Sequence, residues 1–310
     1  MAKLLGLLVL LLLISCSEQV SDFFVLTTEK DIFPEGIAVN GDNVFVSSIL
    51  KNKILKYDLK KKKVGDFIYS NQFGFGSGVG LFLKDSLLYA LANADKSSLF
   101  VFNINNNTLL KKYQLNDTQT HFWNDLVVSK DNHIYITDTQ QDKIFKIRYP
   151  ADIIEDFFQD SVNIKFPNGI TMTDDESKLF IASATSGIRI VDLKMKKVLN
   201  LPSKETTGID GMKYLDNKIY AIVNISRDRK KHRLIQVNLI NNNEAIGRID
   251  TLLYANNLMN VPTTVDIKEN CIYILANSQL DNLNQTEMKV IDRNRQTDTY
   301  IIRIKLKKGG

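Results

Sequence analysis

Four oxygen-bearing side chains recur at one position of an internal repeat, and their chemistry suits the binding of a hard cation. They are Glu35, Asn124, Asn168 and Asp210, and the two other repeats carry Val79 and Thr263 there. Calcium prefers carboxylate and amide oxygens to Cys or His ligands. If the repeats converge, this position, named the anchor position, predicts a calcium site, with another divalent cation as the alternative. Taken singly, each residue also suits a turn, since Asn-Gly and Asp-Gly are common turn formers.

The anchor positions are spaced as in a β-propeller. Successive anchors lie 44, 45, 44, 42 and 53 residues apart, and a period of about 45 is typical of propeller blades. A polar turn follows most anchors, and after it come segments in which apolar and polar residues alternate or nearly alternate, as in half-buried antiparallel strands. We therefore predict an all-β fold, a six-bladed β-propeller with four-stranded antiparallel blades.

The two ends of the repeat region are expected to close the ring. The last repeat has a polar insertion at 278–297 and a late strand at 300–306, but no fourth strand of its own. Residues 23–28 precede the first repeat and are otherwise unassigned. Pairing them beside 300–306 covers sheet edges that would invite aggregation. The predicted propeller spans residues 21–306, and residues 307–310 form a tail.

The N-terminus has the features of a secretory signal. Residues 1–15 contain an apolar run at 4–14, which is too short for a membrane-spanning helix. Ser15-Cys16 at its end resembles the bacterial lipobox, in which the Cys is lipidated and becomes the mature N-terminus. We predict a lipoprotein of the bacterial cell envelope, periplasmic or surface-exposed, that is anchored to a membrane through Cys16, with residues 16–20 as a tether. The alternative is an ordinary signal peptide that happens to contain a Cys.

Replacing Cys16 with Ser tests the predicted anchor. We expect Cys16→Ser to abolish fatty-acid incorporation and lipoprotein-type processing, because the lipid needs the Cys sulfur. Acyl labelling in the same bacterial host measures this, and a Cys271→Ser variant, which changes the other Cys of the chain, should keep its label. Unchanged labelling of Cys16→Ser would contradict the assignment.

The charge balance excludes one class of partner. The chain has 40 Lys plus Arg against 35 Asp plus Glu, and this formal net charge of +5 is small for 310 residues. A nucleic-acid-binding surface normally has a much larger basic excess. We therefore predict no nucleic-acid partner.

The anchor residues and their neighbours resemble the SMP-30/gluconolactonase/LRE-like family. The matching segments are Pro34-Glu35-Gly36, Asn124-Asp125, Pro167-Asn168-Gly169-Ile170, Asp210-Gly211-Met212 and Pro262-Thr263-Thr264. The resemblance spans all six repeats. It implies a calcium-dependent six-bladed propeller, and characterised members of the family mostly hydrolyse lactones and related esters.

The resemblance also implies roles for individual residues. Glu35, Asn168 and Asp210 would hold the metal, and Asp210 could also act as the base. Asn124 would bind either metal or substrate. Phe122 stands where sugar-lactone members often place an Arg, so a sugar-acid lactone is a poor candidate. Phe122 and Thr263 are predicted substrate contacts, although packing under the neighbouring blade would explain Phe122 equally well.

Two functions of different classes follow from the sequence. The first is a calcium-dependent hydrolase of a small-molecule lactone or ester, acting as a monomer. The second is a non-catalytic propeller that binds a ligand or partner, with the metal serving only structure, because a fold does not determine a function.

Overall fold

Six four-stranded antiparallel sheets make up the structure, which is a computed structural model. It describes residues 22–225 and 228–306. The predicted signal segment, Cys16, the tether and the 307–310 tail lie outside these residues. Within the described ranges, no helix has the length and apolar character needed to cross a bilayer.

Blades 1 to 5 each consist of four consecutive strands, which run in order from the channel outward. Blade 1 contains β2 (Pro34–Asn40), β3 (Asn43–Ser48), β4 (Lys53–Asp58) and β5 (Lys63–Ile68). Blade 2 contains β6 (Ser77–Lys84), β7 (Leu87–Asn93), β8 (Ser97–Asn103) and β9 (Thr108–Gln114). Blade 3 contains β10 (Trp123–Val128), β11 (Ile134–Asp138), β12 (Lys143–Arg148) and β13 (Ile153–Gln159). Blade 4 contains β14 (Pro167–Met172), β15 (Lys178–Ser183), β16 (Gly187–Asp192) and β17 (Lys197–Val198). Blade 5 contains β18 (Ile209–Leu215), β19 (Lys218–Val223), β20 (Arg233–Ile240) and β21 (Ala245–Tyr254).

Blade 6 combines the two ends of the described chain, which confirms the predicted closure. Its order from the channel outward is β22 (Val265–Lys268), β23 (Cys271–Leu275), β26 (Thr299–Lys305) and β1 (Asp22–Thr27). Strands β1 and β26 are antiparallel, with Phe23 opposite Ile302. The innermost strands of neighbouring blades contact each other in order, and β22 contacts β2, so the ring is complete. The predicted six-bladed, four-stranded propeller is therefore confirmed.

The core lies between blades rather than within them. Along β19, Ile219, Ala221 and Val223 pack against blade 4, whereas Tyr220 and Ile222 pack against blade 6. Successive side chains of a strand point to opposite faces, so a sheet between two others buries both faces. The expected half-buried alternation is therefore wrong for the second strands, which are buried on both faces and contain uninterrupted apolar runs. It holds better for outer strands such as β9.

The insertion of blade 6 packs across the ring closure. Residues 276–298 include a small hairpin of β24 (Leu283–Asn284) and β25 (Lys289–Val290). Leu280 and Leu283 of the insertion form one apolar cluster with Phe33, Ile49 and Val261, which lie next to the strands of blades 1 and 6. An ion pair of 3.2 Å between Arg293 and Asp31 adds to the contact. Because Phe33 and Val261 lie two residues before their anchors, the insertion covers this side of the channel mouth.

Truncating one inward side chain of β1 tests the closure. Leu26 is 1% exposed and packs in the cluster shared by blades 6 and 1. We expect Leu26→Ala to lower the free energy of unfolding by about 2–5 kcal/mol, the usual cost of a buried Leu→Ala change. The neighbouring Val25→Ala, at a half-exposed position, should cost under about 1 kcal/mol. Urea unfolding measures both, and equal effects would show that β1 does not close the core.

Candidate functional site

A β-bulge surrounds the anchor residue in each of blades 1 to 5. In blade 1, Pro34 pairs with Ser48 and Ile37 with Val46, so Glu35 and Gly36 together oppose one residue of β3. The same register shift surrounds the anchors of blades 2 to 5. Bulges bend a strand and redirect its side chains, and they are common beside functional sites. The repeated motif therefore marks a repeated bulge.

Glycine after the anchor allows the innermost strands to approach closely. A Cβ on Gly36 would lie 2.2 Å from the carbonyl oxygen of Val79 in blade 2. At Gly169 it would lie 2.3 Å from the carbonyl oxygen of Asp210. The Asn-Gly and Asp-Gly pairs of blades 4 and 5 lie inside β14 and β18. Glycine at these two positions is thus explained by the close packing of neighbouring strands. The two pairs are not turns.

The anchor side chains of four blades line one small cavity at the mouth of the channel. Glu35, Asn124, Asn168 and Asp210 contribute to it together with Asp125. The space available to the centre of a water-sized sphere is about 10 Å³, which suits a single water molecule or ion. The structure therefore brings together the four oxygen-bearing residues that the sequence analysis selected.

Two of these carboxyl groups are buried close together. Burial raises the pKa of Glu35 well above its usual value, and the charges of Asp210 and Asp125 raise it further. The Oε2 atom of Glu35 is buried and has no hydrogen-bond partner. Burial also raises the pKa of Asp210 to about 7, against the opposing effect of hydrogen bonds from Asn224 and Asn168. Both groups are thus costly to ionise unless a cation joins them.

The oxygen donors fit a hard cation only if the amides take part. In the described ranges, no three Asp, Glu, His or Cys side chains are grouped so as to hold a metal ion by themselves. Asn124 donates its Nδ2 hydrogen to the hydroxyl of Thr139 at 3.0 Å, which leaves the oxygen of this amide for the cavity. An all-oxygen set of carboxylates and amides, with one buried oxygen unpaired, matches calcium rather than a softer metal.

Two residues that the sequence analysis did not select also shape the cavity. The carboxylate of Asp125 accepts the N–H of Ile170 in the next blade at 3.1 Å. Its signal was present in the sequence, because Asp125 occupies the position that is Gly in four other repeats. Asn224 donates to Oδ2 of Asp210 at 2.6 Å. It lies directly after β19, at the position that Thr139 occupies in blade 3, and the anchor motif does not include this position.

The two predicted substrate contacts are placed differently. Phe122 lies at the mouth, two residues before Asn124, and is 38% exposed. Thr263 is fully buried, and its hydroxyl donates to the backbone carbonyl of Glu35 at 2.8 Å. That hydrogen bond ties blade 6 to blade 1, and the adjacent Thr264 lines the cavity instead.

Comparison with known proteins gives structural likeness without sequence likeness. No protein-family model matches the chain, and no curated protein matches it in sequence. A gluconolactonase from Xanthomonas campestris superposes with a TM-score of 0.65 at 10% identity, over 93% of this chain and 91% of that one. Regucalcin from Agrobacterium tumefaciens, a calcium-binding protein, gives a TM-score of 0.60 at 12% identity, over 91% and 94%. Virginiamycin B lyase from Staphylococcus aureus gives 0.63 at 14% identity, over 92% and 100%.

These likenesses establish the fold. The neighbours include propellers of the SMP-30 type, gluconolactonase and regucalcin, as well as a lyase. Proteins this different in activity share the architecture, so an argument about function has to come from the side chains at the mouth.

The buried carboxyl pair predicts an unusual pH dependence in the presence of a chelator. A carboxyl group with a raised folded-state pKa binds more protons when folded than when unfolded, so stability falls as pH rises from about 4 to about 7. For Asp210 alone the fall is of the order of 4 kcal/mol, at about 1.4 kcal/mol per pKa unit. Urea unfolding with EDTA at pH 4 and pH 7.5 measures it.

Asp210→Asn is the matched variant for this measurement. It should make the pH dependence shallower, because the amide does not titrate and only the buried Glu35 of the pair still does. Added calcium should reverse the fall in the wild type by binding only the folded state. Parallel pH profiles of wild type and Asp210→Asn would show that Asp210 ionises as freely as an exposed carboxyl group.

Proposed function

We propose that the protein is a calcium-dependent hydrolase of a lactone or related ester. The observation that supports this most is the cluster of Glu35, Asn124, Asn168 and Asp210 in a cavity of ionic size, with a buried, unpaired oxygen on Glu35. Gluconolactonase and regucalcin among the structural neighbours agree with this chemistry by their names.

Glu35, Asn168 and Asp210 would hold the ion, and Asn124 would complete its ligands or contact the substrate. When bound, calcium would neutralise the carboxylates and polarise a carbonyl group, which stabilises the developing oxyanion. The two amides favour calcium here because they supply oxygen ligands without adding further negative charge to a buried site.

Asp210 is the candidate base. Asn224 fixes one of its carboxylate oxygens at 2.6 Å, which sets the orientation of the group within the cavity. A carboxylate held in this way can accept a proton from a water molecule as that water attacks the carbonyl carbon. The departing ring or ester oxygen then takes up a proton, so the products are an acid and an alcohol.

Calcium titration and hydrolysis assays test the two halves of the proposal. Isothermal titration calorimetry should detect calcium binding to the wild type and little or none to Asp210→Asn. The same variant should lower kcat for a lactone and aryl-ester panel by at least about 100-fold, a usual loss when a general base is removed. Asp95→Asn, at an exposed hairpin position, changes the same chemical group elsewhere and should alter neither.

The outcomes separate the alternatives. Equal calcium affinity of wild type and Asp210→Asn would refute the site. Calcium binding without hydrolysis of any substrate in the panel would instead point to a non-catalytic binding propeller with a structural metal.

A further inference from the structure

Three exposed apolar residues of blades 3 to 5 lie within two positions of Asn124, Asn168 or Asn224 in the sequence. Phe122 precedes Asn124 by two residues, and Phe166 precedes Asn168 by two. Ile225 follows Asn224, which contacts Asp210. Among the described residues, none of the three belongs to a hydrophobic cluster between the blades. These three residues are named the apolar collar.

Thr139 links the backbone at Phe122 to the backbone next to Phe166. The backbone N–H of Thr139 donates to the carbonyl of Phe122 at 3.0 Å. The hydroxyl of the same Thr139 donates to the carbonyl of Pro167, the residue after Phe166, at 2.6 Å. It also accepts from the amide of Asn124. One threonine thus joins both phenylalanine positions to an anchor side chain.

The backbone of Phe166 has a strained conformation that a glycine at this position would relieve. Its φ is +48°, in the left-handed region that bulky residues rarely adopt. The corresponding residue of blade 5 is Gly208, at φ +71°, where glycine carries no such cost. The N–H of Phe166 donates to Asp142 at 2.7 Å, which holds this conformation. Glycine would therefore fit at this position.

Packing explains the same conformation elsewhere but not at Phe166. Phe33 and Val261 occupy the equivalent positions of blades 1 and 6, also with positive φ. Both are buried beneath the insertion, at 2% exposure, so burial offsets their backbone strain. Phe166 is 54% exposed. Backbone strain with no packing to offset it is found most often at sites that contact ligands.

The mouth is therefore asymmetric. The insertion covers the side of blades 6 and 1. On the side of blades 3 to 5, the residues of the apolar collar are exposed to solvent. The cavity suits a single ion or water molecule, so a ligand can approach it only through a polar atom at the mouth. The rest of the ligand then lies outside the cavity, and on the side of blades 3 to 5 the apolar collar is exposed to contact it.

We propose that the apolar collar binds the hydrocarbon part of the substrate, and that Phe166 determines this specificity. The substrate class is a lactone with an alkyl or aryl substituent, or an aryl ester, in place of a polyhydroxylated sugar lactone. This inference rests on the proposed function and names the substrate for the same site. Burial of an alkyl chain of several carbons against two phenyl rings and an isoleucine supplies the binding free energy.

Kinetics with two lactones of the same ring size test the specificity. δ-Decalactone, which carries a pentyl chain, should be hydrolysed with a kcat/KM at least about tenfold above that of glucono-δ-lactone. Phe166→Gly should raise KM for δ-decalactone about tenfold with kcat changed less than about threefold, since the collar does not touch the reacting atoms. Phe166→Leu should restore most of the affinity.

Stability and a matched phenylalanine separate binding from folding. Phe166→Gly should unfold within about 2 °C of the wild type, because glycine adopts positive φ freely. Phe73 is also exposed and has a φ of +59°, but it packs beside Phe102 between blades 1 and 2. Phe73→Gly should leave KM unchanged. An equal rise of KM in both variants would overturn the role of Phe166.

Binding of a compound that cannot be hydrolysed distinguishes this inference from the proposed reaction. Trp123 is the only tryptophan and adjoins Phe122, so its fluorescence can report the titration of 2-pentylcyclopentanone. Binding that Phe166→Gly weakens about tenfold, without hydrolysis of any lactone, would support the collar and refute the hydrolase. Hydrolysis with a KM insensitive to Phe166→Gly would refute the collar alone. If the ketone does not bind and no lactone is hydrolysed, both the collar and the hydrolase are refuted.

Discussion

The innermost strands approach so closely at the channel mouth that no methyl group fits between several of them. Gly36 faces the carbonyl oxygen of Val79, and Gly211 faces Thr264 in the same way. This approach narrows the ring until side chains from four blades share one cavity. It also removes water from Glu35 and Asp210, which is why their pKa values rise. The chemistry at the mouth is therefore a consequence of backbone packing, and glycine is the residue that permits it.

Much of this architecture could be predicted because it is repeated. A motif that recurs at regular spacing predicts six blades and the convergence of the anchor side chains. It also predicts that Phe23 and its neighbours close the ring. The bulges at the anchors of blades 1 to 5 were not predicted, because a register shift is defined only by the pairing of two strands, although the repeated motif coincides with it. The uninterrupted apolar character of β19 was likewise open to misinterpretation, since burial of both faces depends on neighbouring blades.

The repeated motif did not reveal residues whose roles depend on contacts that form only in the folded ring. Asn224 orients Asp210 from the position after β19, and Thr139 contacts Asn124 from the equivalent position of blade 3. Thr263 was selected as a substrate contact because of its place in the repeat, yet its hydroxyl joins blade 6 to blade 1. A repeat pattern identifies where a side chain stands along the chain, but hydrogen-bond partners across blades are set by the closed ring. Local deviations from symmetry therefore carry most of what is specific to this protein.

The hydrogen bond between Thr263 and Glu35 joins residues 228 positions apart in sequence. The cavity accordingly contains residues from near both ends of the propeller, and Asp210 and Thr264 lie in its last two blades. A nascent chain that still lacks blade 6 can form local hairpins but not this cavity. Long sequence separation of contacts slows folding, because chain entropy is lost before the contacts form. The cavity would thus form late in folding and in a single step, when the last blade docks. Ion binding at this cavity would therefore require the complete propeller.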